Sequence, residues 1–341
     1  MTLKQRADAF AKVGSFVQRH FSGSRLEQEQ GLHQGLEQLA VTAGIYNNWF
    51  ILKYVNEAIQ NIGAMLCGAD LVAFGKEFKD QPGKMIAVIC AGNIPLVGFH
   101  DVFCVLLSGN RLLLKMSADD NVLMPFFLKL LTHYEPGFES QVTFASGRLS
   151  GFDAIIATGS NNTAAHFEYY FGRYPRIIRK SRTSVAVLNG NESPELLREL
   201  GRDVFTYFGL GCRNVSKLLV PEGYNFATFF ESQMDYAEVV NNKKYGNNYD
   251  YYRAIYLLEK QAFLDNNFLM LKEETGLFSP VGTLFYQQFK NKDEILQYIE
   301  QNKSEIQCVV GEGFIPFGYS QQPVITDFAD NVNTVSFLVT L

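Results

Sequence analysis

Residues 84–115, which read KMIAVICAGNIPLVGFHDVFCVLLSGNRLLLK, decide the fold class of this chain. A short continuous apolar run at Met85–Ala91 leads into a turn at Gly92–Pro95. A helical segment at Leu96–Leu107 then leads into a second apolar run at Asn110–Lys115. Short apolar runs without polar alternation are typical of strands that are buried on both faces. The segment therefore predicts one strand–helix–strand unit of a parallel sheet.

The same alternation continues along the chain. It predicts a helix at Val122–Thr132, then strands at Gln141–Phe144 and Asp153–Ala157, and then a turn at Thr158–Ser160 that opens another helix. Strands that alternate with helices are typical of an α/β fold with a parallel sheet. The stretch is therefore interpreted as the continuation of one sheet with helices on its faces.

The two ends of the chain carry different patterns. From Leu3 to about Ile62 the apolar residues recur at helical spacing, which predicts amphipathic helices that lie on the later sheet. The final Asn333–Thr340 alternates between apolar and polar residues, as a strand does. The length of 341 residues exceeds the size at which single cores stop growing, so two domains are expected.

Charge and cysteine content exclude several classes of protein. A net charge of −5 argues against general nucleic-acid binding, which needs a surplus of basic side chains. The five cysteines form no CxxC pair and no short metal-like spacing, and an odd number favours a reducing compartment. No apolar run reaches the roughly 20 residues that a membrane span requires, and no secretory signal is found. A cytoplasmic protein without a metal site is therefore expected.

A candidate nucleophile lies in the stretch Phe205–Pro221. There Cys212 follows Gly209 and Gly211 and precedes a strand-like run. The glycines remove side-chain bulk from the turn, and the adjacent Arg213 favours the thiolate. Free cysteine is more often a small core residue, so the pattern alone leaves both interpretations open.

Three turns follow predicted strands at their carboxyl ends, where open α/β sheets bind ligands: Gly92–Pro95, Lys115–Ala118 and Thr158–Asn161. Gly159 and Ser160 place a small residue and a capping hydroxyl at a helix start, where backbone amides suit a phosphate. No GxGxxG follows a strand, so a dinucleotide would have to bind by another scheme.

These motifs resemble, in order, those of the aldehyde dehydrogenase superfamily over about Lys84 to Leu341. The Tyr-rich run at 247–253 favours its acyl-CoA reductase branch, the family of the fatty acid reductases of bacterial luminescence. Asn93 stands where the family has an oxyanion-binding asparagine, and Cys212 where it has the catalytic cysteine. The resemblance implies an aldehyde-dehydrogenase-like α/β fold with two Rossmann-like parallel-sheet lobes after N-terminal helices.

The resemblance also implies a nicotinamide cofactor. Lys115 corresponds to a lysine that contacts the adenosine ribose, Gly159 and Ser160 to a turn beside the pyrophosphate, and Pro280 to a Phe-Gly-Pro-Val loop. NAD-preferring relatives often have a glutamate where Ala118 stands, and Lys115 with Ser117 suits a 2′-phosphate. NADPH is therefore expected, and NADH remains open because two aspartates follow.

Two family carboxylates are absent. Ile177–Lys180 stands where hydrolytic relatives have the glutamate that activates water, so hydrolysis of an acyl-enzyme should be slow. Gly276 replaces the glutamate that holds the nicotinamide ribose, and Glu273 and Glu274 lie just upstream. A basic cluster is a further candidate for contact with cofactor or CoA phosphates: Arg176, Arg179, Lys180 and Arg182.

The resemblance implies an NADPH-dependent reductase that converts a long-chain acyl-CoA, or another activated acyl donor, to the aldehyde through a Cys212 thioester. A CoA-acylating aldehyde dehydrogenase, an acyl phosphate or acyl adenylate reductase, and a non-redox acyl-binding or acyltransferase protein remain alternatives. The expected domains are helices with the cofactor domain at 1–205, the cysteine domain at 206–325 and a C-terminal strand at 326–341. A homodimer or an acyl-activating partner is a further expectation.

Overall fold

The computed structural model describes residues 1–78 and 83–341. These form two compact units: unit 1 contains 1–181 and 323–341, and unit 2 contains 182–322. Each unit is built on a largely parallel sheet, which confirms the predicted fold class. The units divide after Ser181, upstream of the predicted boundary at 205, because the strand that follows is hydrogen-bonded into the second sheet.

Unit 1 begins with four helices, numbered here in chain order, which confirms the predicted helical N-terminal region: α1 (Leu3–Ser22), α2 (Gln30–Tyr46), α3 (Leu52–Cys67) and α4 (Leu71–Lys76). The first helix starts at a capping box, in which Thr2 and Gln5 exchange side-chain and backbone hydrogen bonds. It ends at Gly23, whose φ of 77° few other residues tolerate. The buried face of α1, including Phe10 and Phe16, joins the main core of unit 1.

The sheet of unit 1 contains five parallel strands: β1 (Met85–Ile89), β2 (Arg111–Lys115), β3 (Val142–Phe144), β4 (Ala154–Thr158) and β5 (Arg176–Arg179). Their spatial order is β3-β2-β1-β4-β5, so the strand order reverses between β1 and β4. The connecting helices are α5 (Phe99–Leu107), α6 (Leu123–Tyr134) and α7 (Asn161–Phe171). Ligands bind at such a reversal in open α/β sheets, at the carboxyl ends of the strands.

The C-terminal segment is a helix, and the strand predicted at 326–341 is wrong. After Asn333, whose side chain accepts a hydrogen bond from the N–H of Ser336 at 2.9 Å, the chain forms the short helix α12 (Thr334–Val339). Val335 and Leu338 lie three residues apart and are buried in the unit 1 core. A cap and one apolar pair at helical spacing therefore outweigh a local alternation that suited a strand equally well.

A buried ion pair attaches this C-terminal segment to unit 1. The Arg179 guanidinium, 2% exposed, contacts both carboxylate oxygens of Asp101 at 2.9 and 2.7 Å. It also donates to the hydroxyl of Thr334 at 2.9 Å and to the carbonyl of Ala329. Burial raises the pKa of Asp101, but the charge and hydrogen bonds of Arg179, together with the effects of His100 and Thr334, outweigh burial and lower it. The hypothesis that Arg179 contacts a ligand phosphate is therefore wrong.

Two histidines are buried between α1 and α2. His20 and His33 are 7% and 0% exposed, and their Nδ1 atoms lie 3.1 Å apart. Burial, followed by the nearby charge of Arg25, lowers the pKa of His20 to about 4, and burial also lowers the pKa of His33. Both rings are therefore neutral in the folded protein at neutral pH.

This pair should make stability depend on pH. Between about pH 6.5 and 4 the unfolded chain binds protons that folded His20 does not, so the free energy of unfolding falls as pH falls. We expect a loss of about 2 kcal/mol between pH 7 and 5 in urea unfolding. His20→Gln should flatten the dependence, whereas replacement of the exposed His166 should not. A wild-type slope that persists in His20→Gln would contradict this assignment.

Unit 2 contains a six-stranded sheet: β6 (Thr183–Val187), β7 (Val215–Pro221), β8 (Leu264–Asp265), β9 (Met270–Glu273), β10 (Thr283–Phe289) and β11 (Ile306–Gly311). The spatial order is β11-β6-β7-β10-β9-β8, and only the short edge strand β8 is antiparallel to its neighbour. The helices are α8 (Pro194–Phe205), α9 (Ala227–Ser232), α10 (Lys243–Leu258) and α11 (Lys292–Gln301).

Ser193 caps α8 by accepting from the N–H of Leu196. A 3₁₀ segment at Met234–Asn241 follows α9. Within residues 1–78 and 83–341, no helix is both long and apolar enough to cross a membrane.

Candidate functional site

The chain turns sharply between α8 and Cys212. Tyr207, Phe208 and Gly209 have φ values of 54°, 57° and 78°, so three consecutive residues are left-handed. This conformation costs a residue other than glycine about 1–2 kcal/mol. The buried aromatic rings of Tyr207 and Phe208 offset that cost by their packing. Backbone strain of this kind concentrates at functional sites, and here it immediately precedes a partly exposed thiol.

Asn214 holds both ends of this turn, and the sequence analysis missed it. Its side chain is buried and donates to the carbonyls of Asp203 at 3.0 Å and Thr206 at 2.8 Å. Its Oδ1 accepts from the N–H of Gly211 at 2.8 Å, next to Cys212. One amide therefore fixes the backbone on both sides of the turn. A polar residue at the head of the strand-like run Val215–Val220 was the available signal.

The carbonyl of Cys212 is held by Ser184 on β6. Ser184 Oγ donates to this carbonyl at 3.1 Å, accepts from the N–H of Cys308 at 3.2 Å and lies 3.0 Å from Cys308 Sγ. The hydroxyl has one hydrogen, which goes to the carbonyl, so the Cys308 thiol must be the donor in the third contact. Strands β6 and β11 thus support the peptide that follows the thiol.

Asp203, at the end of α8, attaches the loop that contains Gly318 and Ser320 to the same region. Its buried carboxylate accepts from the N–H groups of Gly318 at 2.7 Å and Ser320 at 2.9 Å. Burial raises the pKa of Asp203 despite these donors. Arg213, the neighbour of Cys212, donates to the Ser320 carbonyl. Two motifs that are far apart in sequence are therefore packed together in unit 2.

Pro280 also lies beside the turn between α8 and Cys212, which is called the cysteine turn below. It lines a cavity of about 30 Å³ together with Phe208, Gly209 and Ser279. Such a volume suits one or two water molecules. Pro280 therefore lies beside Phe208 and Gly209, in the turn that precedes Cys212.

The turn that carries Asn93 follows β1 in unit 1, and Asn93 itself is exposed. The carbonyl of Gly92 accepts from Asn47 Nδ2 at 3.1 Å, and the N–H of Leu96, whose φ is 59°, donates to Asp120 at 2.8 Å. Burial raises the pKa of Asp120 to about 6. The turn is therefore held from two sides.

Lys115 and Ser117 lie next to this turn. The carbonyl of Lys115, the last residue of β2, accepts from the N–H of Cys90 at 3.0 Å. A Cβ on Gly92 would lie 2.6 Å from Ser117 Oγ, so only glycine permits this approach. Ala118 and Asp119 are exposed in the same turn. The predicted oxyanion and ribose residues of unit 1 thus occupy neighbouring turns.

Gly159 and Ser160 lie at the end of β4, where α7 begins. Ser160 caps α7 by accepting from the N–H of Thr163 at 3.3 Å. A Cβ on Gly159 would lie 2.8 Å from Thr163 Cγ2, so the helix start needs glycine for packing. All five predicted site residues of unit 1 therefore lie at the carboxyl edge of its sheet, at the ends of β1, β2 and β4.

The loop after β9 contains Gly276, at the position where aldehyde dehydrogenases have a glutamate. Upstream, Glu274 pairs with Lys272 at 2.7 Å and accepts from the N–H of Thr275 at 2.9 Å. The hydrogen bond from Lys272, followed by that from Thr275, lowers the pKa of Glu274 to about 2. The Glu274 side chain also passes 3.8 Å from the position of a Cβ on Gly276. Its carboxylate is thus ionised and folded onto its own loop.

Comparisons with known proteins agree with this architecture. Residues 75–207 match the family model described as acyl-CoA reductase (LuxC), and no curated protein sequence matches the chain. An NAD-dependent aldehyde dehydrogenase from Sinorhizobium meliloti is 13% identical with a TM-score of 0.66, over 91% of this chain and 70% of that chain. The NAD+ complex of an aldehyde dehydrogenase from Bacillus cereus is 13% identical with a TM-score of 0.63, over 91% and 72%. An NADP dependent enzyme from E. coli is 11% identical with a TM-score of 0.64, over 91% and 73%.

At these identities, the likeness to the solved structures establishes the fold alone. It confirms the aldehyde-dehydrogenase-like architecture over most of the chain. The family match confirms the resemblance to acyl-CoA reductases over residues 75–207, which include the turns that carry Asn93, Lys115 and Ser160. Cys212 lies beyond the matched segment.

Proposed function

We propose that this chain, which matches the acyl-CoA reductases (LuxC) over residues 75–207 and has the fold of aldehyde dehydrogenases, reduces an activated acyl thioester to the aldehyde. The proposed nucleophile is Cys212. The observation that carries the proposal is the turn before it, a strained backbone held by buried hydrogen bonds behind a partly exposed thiol. A nucleophile has to be both reachable and fixed in this way.

The acyl-transfer step uses groups of the chain itself. The Cys212 thiolate attacks the carbonyl carbon of the acyl thioester, and the bond to the carrier sulfur breaks as the carrier thiolate leaves. The Asn93 side-chain amide and the N–H of Cys212 are the proposed oxyanion donors, and loss of one such donor typically costs about 10²–10³ in rate. No carboxylate occurs in β5, where hydrolytic relatives have their base, so water is not the proposed acceptor.

A nicotinamide dinucleotide is the proposed reductant, and the carboxyl edge of the unit 1 sheet fits such a group. The N-terminus of α7, a helix of eleven residues that begins after Gly159 and Ser160, offers backbone N–H groups to phosphate. Lys115 offers an ammonium group at the end of β2. When bound, the cofactor supplies the hydride that releases the acyl group as an aldehyde.

NADPH is proposed over NADH. Ala118 leaves no carboxylate at the place where one would repel a 2′-phosphate, and Ser117 and Lys115 are suitable donors. NADH is the alternative, because Asp119 is exposed in the same turn. Initial rates with each cofactor, for the wild type and for Asp119→Asn, test the preference: the variant should favour NADPH further, and an unchanged ratio would contradict this role for the turn.

The function is tested with the full chain and acyl-CoA thioesters of stepped chain length. Without cofactor, we expect intact-protein mass spectrometry to show one added acyl group, and peptide mapping to locate it on Cys212. Addition of NADPH should remove the label, consume the cofactor and release the aldehyde. No acylation of Cys212 by any thioester would overturn the proposal.

A non-redox acyl transfer is the second candidate, because Gly276 provides no carboxylate for a nicotinamide ribose and Glu274 is bound to its own loop. It predicts exchange of the acyl group between thiols without cofactor and no aldehyde with it. Acyl phosphates or acyl adenylates as preferred donors, or aldehyde oxidation with CoA, would instead favour the reductase and dehydrogenase alternatives.

A further inference from the structure

Lys217 is a fully buried lysine that the proposed reaction does not use. It lies on β7, close in sequence to Cys212, and is 0% exposed. Burying an ammonium group costs several kcal/mol unless hydrogen bonds satisfy it. The contacts of Lys217 therefore have to account for its presence in the interior of unit 2.

Four oxygens surround the Lys217 ammonium. Nζ donates to the backbone carbonyls of Thr275 at 2.7 Å and Gly276 at 3.1 Å. It also contacts Gln287 Oε1 at 2.8 Å and Tyr298 Oη at 2.9 Å. The two carbonyls and Gln287 Oε1 only accept, and these three acceptors match the three hydrogens of an ammonium group. One buried cation thus holds two successive peptide groups of the loop after β9.

The Glu274 carboxylate also holds this loop, because it accepts from the N–H of Thr275 at 2.9 Å and has a backbone hydrogen bond with Gly276. Further along, Ser216 Oγ donates to the carbonyl of Leu277 at 2.6 Å. Two consecutive residues of β7, Ser216 and Lys217, therefore hold the backbone of the loop that leads to Pro280.

This path ends beside the cysteine turn, where Pro280 shares a cavity with Phe208 and Gly209. Gly276 has no side chain with which the loop could anchor itself or a ligand. The next residue, Leu277, is buried in the unit 2 core, while the carbonyls of Thr275 and Gly276 are held by Lys217, with Tyr298 Oη as a second donor to Thr275.

We propose that Lys217 is a positioning residue that fixes the Thr275–Leu277 backbone and thereby holds Pro280 beside the cysteine turn for cofactor binding. The cofactor part of this inference rests on the proposed function. The order of the loop itself does not, because it follows from contacts within unit 2.

The charge of Lys217 should be sensitive to alkaline pH. Burial lowers its pKa to about 8, and the charge of Glu274 opposes this effect. Two other titratable groups lie around it. The Tyr298 ring lies 4.8 Å from Nζ, and Lys272 on β9 pairs in register with the same residue of β10, Phe285, as Lys217 does. A neutral amine has two hydrogens for the four oxygens, so the loop should loosen above about pH 8.

The test is hydrogen exchange of the loop in the full chain. We expect Lys217→Met to speed exchange in the peptide that covers 274–280 at least about tenfold, as loss of charge-assisted hydrogen bonds implies. Lys303→Met is the matched control, because it removes an exposed lysine of unit 2 whose ammonium group pairs with Glu300. It should leave exchange of the loop near the wild-type rate. Unchanged exchange in Lys217→Met would overturn the inference.

Two further measurements cover other outcomes. If Lys217→Met does not fold, the wild type is measured instead. After correction for intrinsic exchange, its 274–280 peptide should lose protection from hydrogen exchange between pH 7 and 9.5. Constant protection over this range would overturn the inference. Fluorescence titration with NADPH should show at least about tenfold weaker binding by Lys217→Met, with unchanged acylation of Cys212. Failure of the wild type to bind NADPH would overturn the proposed cofactor role and leave the exchange result to decide the loop.

Discussion

Replacement of Cys212 by serine is expected to abolish acylation and aldehyde formation while the fold is kept. The hydroxyl is similar in size but is not ionised near neutral pH, so it is a far weaker nucleophile. The contacts that hold the turn, from Asn214 and Ser184, go to backbone atoms and do not use Sγ. Loss of a nucleophile costs on the order of 10⁴–10⁶ in turnover, measurable as aldehyde formed per enzyme with saturating acyl-CoA and NADPH.

The matched control for this variant is Cys67→Ser. Cys67 is an exposed residue at the end of α3 in unit 1, so its replacement tests whether loss of any accessible cysteine lowers turnover. Turnover should be unchanged in the control. Turnover of Cys212→Ser within tenfold of the wild type would exclude Cys212 as the nucleophile.

Replacement of Arg179 by methionine is expected to destabilise the protein by about 3–5 kcal/mol, because it leaves the buried Asp101 carboxylate without its partner. The C-terminal segment also loses its contacts at Ala329 and Thr334. Urea unfolding at pH 7 measures the loss as a lower midpoint. The low pKa of Asp101 implies that the pair contributes at neutral pH and that the contribution disappears under acid conditions, as the carboxylate is protonated.

Two comparisons make this result specific. Arg176→Met removes a partly exposed ion pair with Glu168 and should cost no more than about 1 kcal/mol. The double variant Asp101→Leu/Arg179→Met should recover part of the stability, because no unpaired charge then remains in the core. A single Arg179→Met variant as stable as Arg176→Met would show that the buried pair is not needed.

Local patterns predicted the elements that position the candidate site. Glycine and capping residues marked the turns after β1 and β4, and apolar runs marked the parallel strands, because both signals depend on neighbours within a few residues. Ser160 caps its helix as predicted. The roles of Asn93, Lys115 and Cys212 remain predictions that the experiments above test.

The supporting residues could not be predicted in the same way. Asn214, Ser184 and Lys217 each act through partners whose proximity requires the folded sheet: Ser184 meets Cys212 and Cys308 only because β6 lies between β7 and β11. The prediction that the basic cluster contacts phosphates failed at Arg179 for the same reason. Arg179 belongs to it by sequence, but its partner Asp101 lies 78 residues away on α5.

By itself, the sequence determined the α/β class, the N-terminal helices and the turns that carry the candidate residues, because periodicity, glycine and caps act over short distances. Tertiary structure decided whether the C-terminal alternation became a strand or the helix α12, where the chain divides into units, and which charges are buried. The physical reason is that burial is set by partners distant along the chain. The free energy of an ion pair or a buried ammonium depends on those partners and not on the residues beside it.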